Sequence, residues 1–149
     1  DEIAERGPRH EARVVCLARI KTDAAQAALF GFKTGAALFH SLIVHLENGV
    51  PIQVEDRLVN PESAPGYLDV DFSRTTPTNY LLEAAPLSEA RYTIESLLPA
   101  EQEAKLLGIS RRDPCLVLKR LTFSRGVPVT HVRLTHPGSR YLLQGRFET

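Results

Sequence analysis

The residues best equipped for chemistry flank Gly49: Ser41, Ile43 and His45 before it, Gln53, Glu55 and Arg57 after it. Alternate residues of a strand share one face, so a hairpin turning at Gly49 gathers these six on one side. A carboxylate, a guanidinium and an imidazole held together can orient a small zwitterion or carboxylate. The same pattern also describes a solvated sheet face with a surface ion pair, which is the commoner case and is worth little. A second candidate is Thr75-Thr76-Pro77-Thr78, where first-turn amides, a helix dipole and threonine hydroxyls favour an anion. An ordinary capped helix, again the commoner outcome, has the same appearance.

Other chemistries find less support. His40 and His45, like His131 and His136, are five apart, an odd spacing that puts each pair on opposite faces of a strand. No Cys or acidic cluster completes a ligand set with zinc-like spacing, so no metal is expected. The chain has no Gly-x-Ser-x-Gly elbow and no Gly-x-Gly-x-x-Gly loop, and Gly31-Phe32-Lys33-Thr34-Gly35 lacks the Gly-Lys-Ser/Thr ending of a phosphate loop. Cys16 and Cys115 sit in apolar runs and read as two inert core thiols in a reducing compartment.

Turn and breaker residues mark the elements that must carry these groups. Residues 12–20 read as a strand and 23–30 as a short helix, with Asp23 as N-cap and Gly31 as its stop. Residues 37–46 and 50–59 read as a hairpin. A helix opens at Thr76-Pro77 and runs to about Ala85; a strand over 88–98 and a helix over 99–107 ending at Gly108 follow. Residues 115–124 and 127–135 form a second hairpin. Gly31 and Gly108 are 77 apart, as are Gly49 and Gly126, and Val50-Pro51 falls on Val127-Pro128 at that same offset. This internal pseudo-repeat predicts two strand–helix–hairpin units pairing into one antiparallel sheet, with helices covering one face: an α+β sandwich. In the first hairpin, matching Leu46 with Ile52 and Val44 with Val54 favours a three-residue loop, 47–49. Leu42, Val44, Leu46, Ile52 and Val54 then form the core face.

Length fits one domain, and 18 basic residues against 18 acidic ones leave no basic excess for nucleic acid. Contact with DNA would need another domain. No apolar run approaches a membrane span, and no signal peptide opens the chain. The absence of Met, at position 1 included, leads to the expectation that the sequence is an excised or processed piece of something longer.

The run Phe39-His40-Ser41-Leu42-Ile43-Val44-His45 is followed by Glu47-Asn48-Gly49-Val50-Pro51, Glu55-Asp56-Arg57 and Val59-Asn60-Pro61. Further on come Thr76-Pro77-Thr78-Asn79-Tyr80-Leu81, Ala104 to Gly108, and Pro137-Gly138-Ser139-Arg140-Tyr141. In order and spacing these segments resemble the effector-binding (UTRA) domain of GntR-superfamily repressors, most of all the histidine-utilisation members. The resemblance implies a chorismate-lyase-like fold and a non-enzymatic, effector-sensing and dimerisation role in the cytoplasm, with no cofactor and no membrane partner. It makes residues 10–149 the sensing domain and residues 1–9 the end of a linker. DNA would be reached only through an N-terminal winged helix-turn-helix absent from this chain, in a homodimer.

Relatives that sense sugar phosphates carry basic residues at the positions of Ile43 and His45. Glu55, Thr78, Tyr80 and Tyr141 match further ligand-contacting positions of the family. The loss of fixed cations here argues against a phosphate and fits a flatter, less charged ligand. The histidine-utilisation relatives respond to urocanate, an imidazole joined to an acrylate. The resemblance thus implies that His45 and Glu55 hydrogen-bond the imidazole and that Tyr80 or Tyr141 packs on it. Thr78, the helix-start amides or Arg57 would hold the carboxylate, or the orientation is reversed. The rival readings are a lyase on the same fold and a sensor of another metabolite such as a sugar phosphate.

Overall fold

A computed structural model describes residues 9–148; the expected linker, apart from Arg9, lies outside the described residues. Six antiparallel strands form one sheet in the order β1-β2-β3-β6-β5-β4. They are β1 (His10–Lys21), β2 (Ala37–Glu47), β3 (Val50–Val59), β4 (Glu89–Leu97), β5 (Cys115–Ser124) and β6 (Val127–Pro137). Helix α1 (Ala24–Phe30) joins β1 to β2, α2 (Pro77–Ala84) lies between β3 and β4, and α3 (Glu101–Leu107) joins β4 to β5. No helix among the described residues is long and apolar enough to cross a membrane.

The pseudo-repeat is structural. Helices α1 and α3 are 77 residues apart at both ends, and each stops at a left-handed glycine, Gly31 and Gly108. Both hairpins turn through two residues of positive φ, Asn48-Gly49 (51° and 79°) and Arg125-Gly126 (52° and 79°). This is the mirror-image turn whose twist suits a hairpin, and its second position favours glycine. The order of strands then follows: each unit supplies an outer strand and a hairpin, and the units meet where β3 pairs with β6.

The hairpin register combines two expectations. Val44 lies opposite Val54, as a three-residue loop requires, while Leu46 lies opposite Pro51, as a two-residue loop requires. A bulge at Ile52 absorbs the difference. The second hairpin repeats the bulge 77 residues later, at Val129, between the pairs Thr122–Thr130 and Phe123–Pro128. Helix α3 starts at Glu101 rather than at Pro99, because the proline precedes the N-cap residue Ala100.

Helices cover both faces, not one. On one face, Leu107 of α3 packs on Leu42, Val44, Leu46 and Val54. On that face too, Phe30 of α1 packs on Leu38 and Leu58. The opposite face of the first hairpin is covered by residues 60–85, the segment between the two repeat units. Tyr67, Phe72 and Leu81 from this segment bury Phe39, Ile43 and Val59. Each such aliphatic or aromatic side chain contributes about 1.5–3 kcal/mol on burial. The face that carries Ser41, His45, Glu55 and Arg57 is therefore closed, and all four side chains are buried.

One carboxylate ties α3 to the sheet. Glu103 accepts hydrogen bonds from the Ala100 amide (2.8 Å), from Arg133 Nε and Nη2 (2.8 and 3.1 Å) and from the Thr135 hydroxyl (2.5 Å). Replacing Glu103 by Ala leaves a half-buried guanidinium and a buried hydroxyl unpaired. Urea unfolding of Glu103→Ala is expected to show a loss of about 2–3 kcal/mol against the parent chain, with Glu103→Gln intermediate.

Candidate functional site

Alternation along β2 and β3 brings His45, Glu55 and Arg57 to one face, and the covering segment removes them from water. Glu55 is 4% exposed and Arg57 2%. The Glu55 carboxylate is shared: His45 Nε2 lies 2.7 Å from one oxygen and Arg57 Nε 2.8 Å from the other. Arg57 goes on to donate to Thr130 on β6 (3.2 Å) and to Thr78 on α2 (3.3 Å). At the other end, His45 Nδ1 meets His10 Nε2 at 3.1 Å, and the two rings stack with centroids 5.2 Å apart. An ionised Glu55 can only accept, so His45 carries a proton on Nε2. A single proton then serves the contact between His45 and His10.

A continuous row results: His10, His45, Glu55, Arg57, then Thr78 and Thr130. It crosses from β1 through β2 and β3 to β6 and to the first turn of α2. Burial pushes the Glu55 carboxyl up, but the His45 hydrogen bond and the Arg57 charge outweigh it, leaving it below its ordinary value. Nearby, the Tyr67 hydroxyl shares a 2.8 Å hydrogen bond with Ser41, and burial pushes its pKa up to about 12.

Two cavities lie along this row. The first, about 410 Å³, opens at His45 and is walled by His10, Glu11 and Ala12 of β1, Ile43 of β2, and residues 72–77 with Asn79. Its wall mixes the apolar surfaces of Ile43, Phe72 and Pro77 with the hydroxyls of Ser73, Thr75 and Thr76. Arg74 supplies a cation from an exposed position where it pairs loosely with Asp71 (3.8 Å). The second, about 220 Å³, lies at the Arg57 end of the row and is lined by Arg57, Thr78, Arg120 and Thr130 with Leu81, Leu87 and Phe123.

The expected site residues are thus divided. His45 faces the first cavity and Arg57 and Thr78 the second, while Glu55 lines neither and bridges His45 to Arg57 with both oxygens occupied. Tyr80 packs its ring on Tyr67, with centroids 6.1 Å apart, and lines neither cavity. Tyr141 packs on His136 with the rings tilted and their centroids 4.5 Å apart, and lines other hollows at the end of β6. His10, Phe72 and Arg74 are additions. Strand periodicity carries a signal for His10, since Ala12 pairs with His45 and residue 10 shares its face. No periodicity marks Phe72 and Arg74, which come from an irregular segment. His40, on the opposite face, pairs with Asp56 at 2.8 Å.

Comparison with known proteins agrees with this architecture. The family model described as the UTRA domain matches residues 5–142. The histidine utilization repressor of Pseudomonas putida is 48% identical over 99% of this chain and 59% of its own length. That of Klebsiella aerogenes is 44% identical over 98% of the chain and 61% of its length. The chain therefore spans about three fifths of these curated relatives. The crystal structure of the C-terminal domain of the histidine utilization repressor from Pseudomonas syringae pv. tomato superposes with a TM-score of 0.91 at 45% identity. It is covered completely by 95% of this chain. The effector domain of PhnF from Mycobacterium smegmatis shares the fold at a TM-score of 0.80 and 21% identity, over 94% of this chain and 88% of its own.

Removing Glu55 strands the buried Arg57 charge, so Glu55→Ala is expected to lose about 3–5 kcal/mol in urea unfolding. Acid should act in two stages. Burial pushes His131 and His136 below 6.5, so the unfolded chain takes up protons there before the folded one does, and stability begins to fall as pH drops through 6.5. The lowered Glu55 and Glu103 contribute stability that is complete above 4.5 and is lost as pH falls through their folded values. Urea midpoints at pH 7.5, 5.5 and 4 should fall in that order, and a midpoint independent of pH would contradict these assignments.

Proposed function

Since the chain belongs to the UTRA domain family, we propose that it is the effector-sensing domain of a cytoplasmic repressor of histidine utilisation that binds urocanate in the cavity at His45. The names and identities of the relatives support the physiological setting. A DNA-binding domain preceding this chain would contact the operator, and the sensing domain would act as a homodimer. The relatives are repressors, a regulatory and non-enzymatic role, and no chemistry is asked of the site.

The observation that carries the ligand assignment is the His10–His45–Glu55 row ending at the first cavity. Glu55 fixes the His45 ring and its tautomer without touching ligand. A flat imidazole would lie between the paired histidine rings and the apolar wall of Ile43 and Phe72. The carboxylate would reach Thr75, Thr76 and the rim guanidinium of Arg74. At about 410 Å³ the cavity falls in the range of small-molecule sites. Among the described residues that line it, Arg74 is the one fixed cation, which suits a monoanion better than a phosphate dianion. Thr78 and Arg57, facing the second cavity, act through the position of α2 rather than by holding the carboxylate.

Calorimetric titration with urocanate, histidine and glucosamine 6-phosphate tests the reading. Urocanate should bind tightest, and His45→Ala should weaken it about tenfold or more, as expected for loss of one good polar contact. Equal binding of all three compounds, or no binding of urocanate, would refute the assignment.

A further inference from the structure

The polar row ends at a second cavity that urocanate sensing does not use. Its floor follows from strand register. Arg57 on β3 and Arg120 on β5 both lie opposite Val132 of β6, so the two arginines share one face with a single strand between them. Thr130 and Thr122 lie opposite each other in the next row of that face. Leu81, Leu82 and Ala85 of α2, with Leu87 beyond the helix, form the apolar wall. Leu82 and Leu87 are half-exposed and mark the rim. Among the described residues that line the cavity there are two guanidiniums and no carboxylate. Glu55 balances Arg57 at 2.8 Å. Arg120 is half-buried and, among the described residues, joins no ion pair or hydrogen bond; burial and the Arg57 charge hold it below its ordinary value.

We propose that this cavity binds a small organic monoanion, its carboxylate held by Arg57, Arg120 and the Thr78 hydroxyl and its short apolar chain laid along Leu81, Leu87 and Phe123. The donors are available. Arg57 spends three of its five N–H groups, on Glu55, Thr130 and Thr78, and two remain. The Thr78 hydroxyl accepts from Arg57 and keeps its own proton to donate, whereas Thr130 gives its proton to the Leu58 carbonyl (2.8 Å). Two like charges facing one hollow repel each other, and an anion between them removes that cost. One uncompensated guanidinium calls for one negative charge, and its planar fork matches a carboxylate through two parallel hydrogen bonds. The leucine wall favours an alkyl or aryl body over a sugar or an amino acid, whose hydroxyls or ammonium would find no partner there. At about 220 Å³ the space falls below the range of drug-sized sites, about 300–1,000 Å³, which limits that body to a few carbons.

This site is separate from the cavity at His45, so a failure of urocanate to bind leaves it standing. Calorimetric titration of the chain with hexanoate and with hexanamide, its neutral counterpart, tests it. Hexanoate should bind about tenfold or more tighter than hexanamide, and equally well with urocanate present. Arg120→Gln should weaken hexanoate about tenfold or more, and Arg120→Lys, which keeps the charge but not the fork, should weaken it less. Leu87→Asp places a like charge on the rim and should also weaken hexanoate, which keeps the test open should loss of Arg120 disturb the sheet. Circular dichroism should match the parent chain in each variant compared. Absence of hexanoate binding, equal binding of hexanamide, parent-like affinity in either Arg120→Gln or Leu87→Asp, or displacement of hexanoate by urocanate would each overturn the proposal.

Discussion

The constraint on which this structure turns is a carboxylate that must not meet water unpaired. Glu55 is buried between an imidazole and a guanidinium, and neither of its oxygens is free. On an open sheet the same three residues would form a surface pair of little consequence. Under residues 60–85 they become a fixed point, because shifting any member exposes an unsatisfied charge. The geometry of His45 follows from Glu55, and that of Arg57 sets where Thr78, and with it the first turn of α2, can sit.

The division of labour follows the repeat. Two strand–helix–hairpin units, related even to their bulges and turn conformations, build a sheet with one helix each on a common face. The segment that belongs to neither unit, residues 60–85, closes the other face and supplies one wall of the first cavity. A scaffold made by repetition thus carries a site made by the unrepeated part. Because that segment meets the row of polar groups through Thr78, a ligand that rearranges the His45 end has a bonded route to α2 and the rim of the second cavity. Effector-dependent coupling of about 1–3 kcal/mol between two arrangements would suffice for control of a distant partner.

Much of this was legible in the residues. Glycines and prolines at a fixed offset marked the paired units, and period-two alternation placed His45, Glu55 and Arg57 together. The bulges were not legible, because each hairpin satisfies one register near the turn and another farther out, and hydrophobic matching at Val44 and Leu46 cannot favour both. Nor could alternation show that the polar face is covered. That depends on Tyr67, Phe72 and Leu81 folding back from an irregular segment, which has no period to read. The separation of Arg57 and Thr78 from the His45 cavity is likewise a tertiary result: Glu55 spends both oxygens within the protein, which only coordinates reveal.

The claim that urocanate occupies the cavity at His45 is tested most directly by observing the imidazole resonances of the five histidines during a urocanate titration. The account predicts that the ring signals of His45 and His10 move together and saturate, while those of His40 and His131, on the opposite face of the sheet, stay in place. Saturation with the His45 and His10 rings unchanged, or with the shifts confined to His40 and His131, would contradict it.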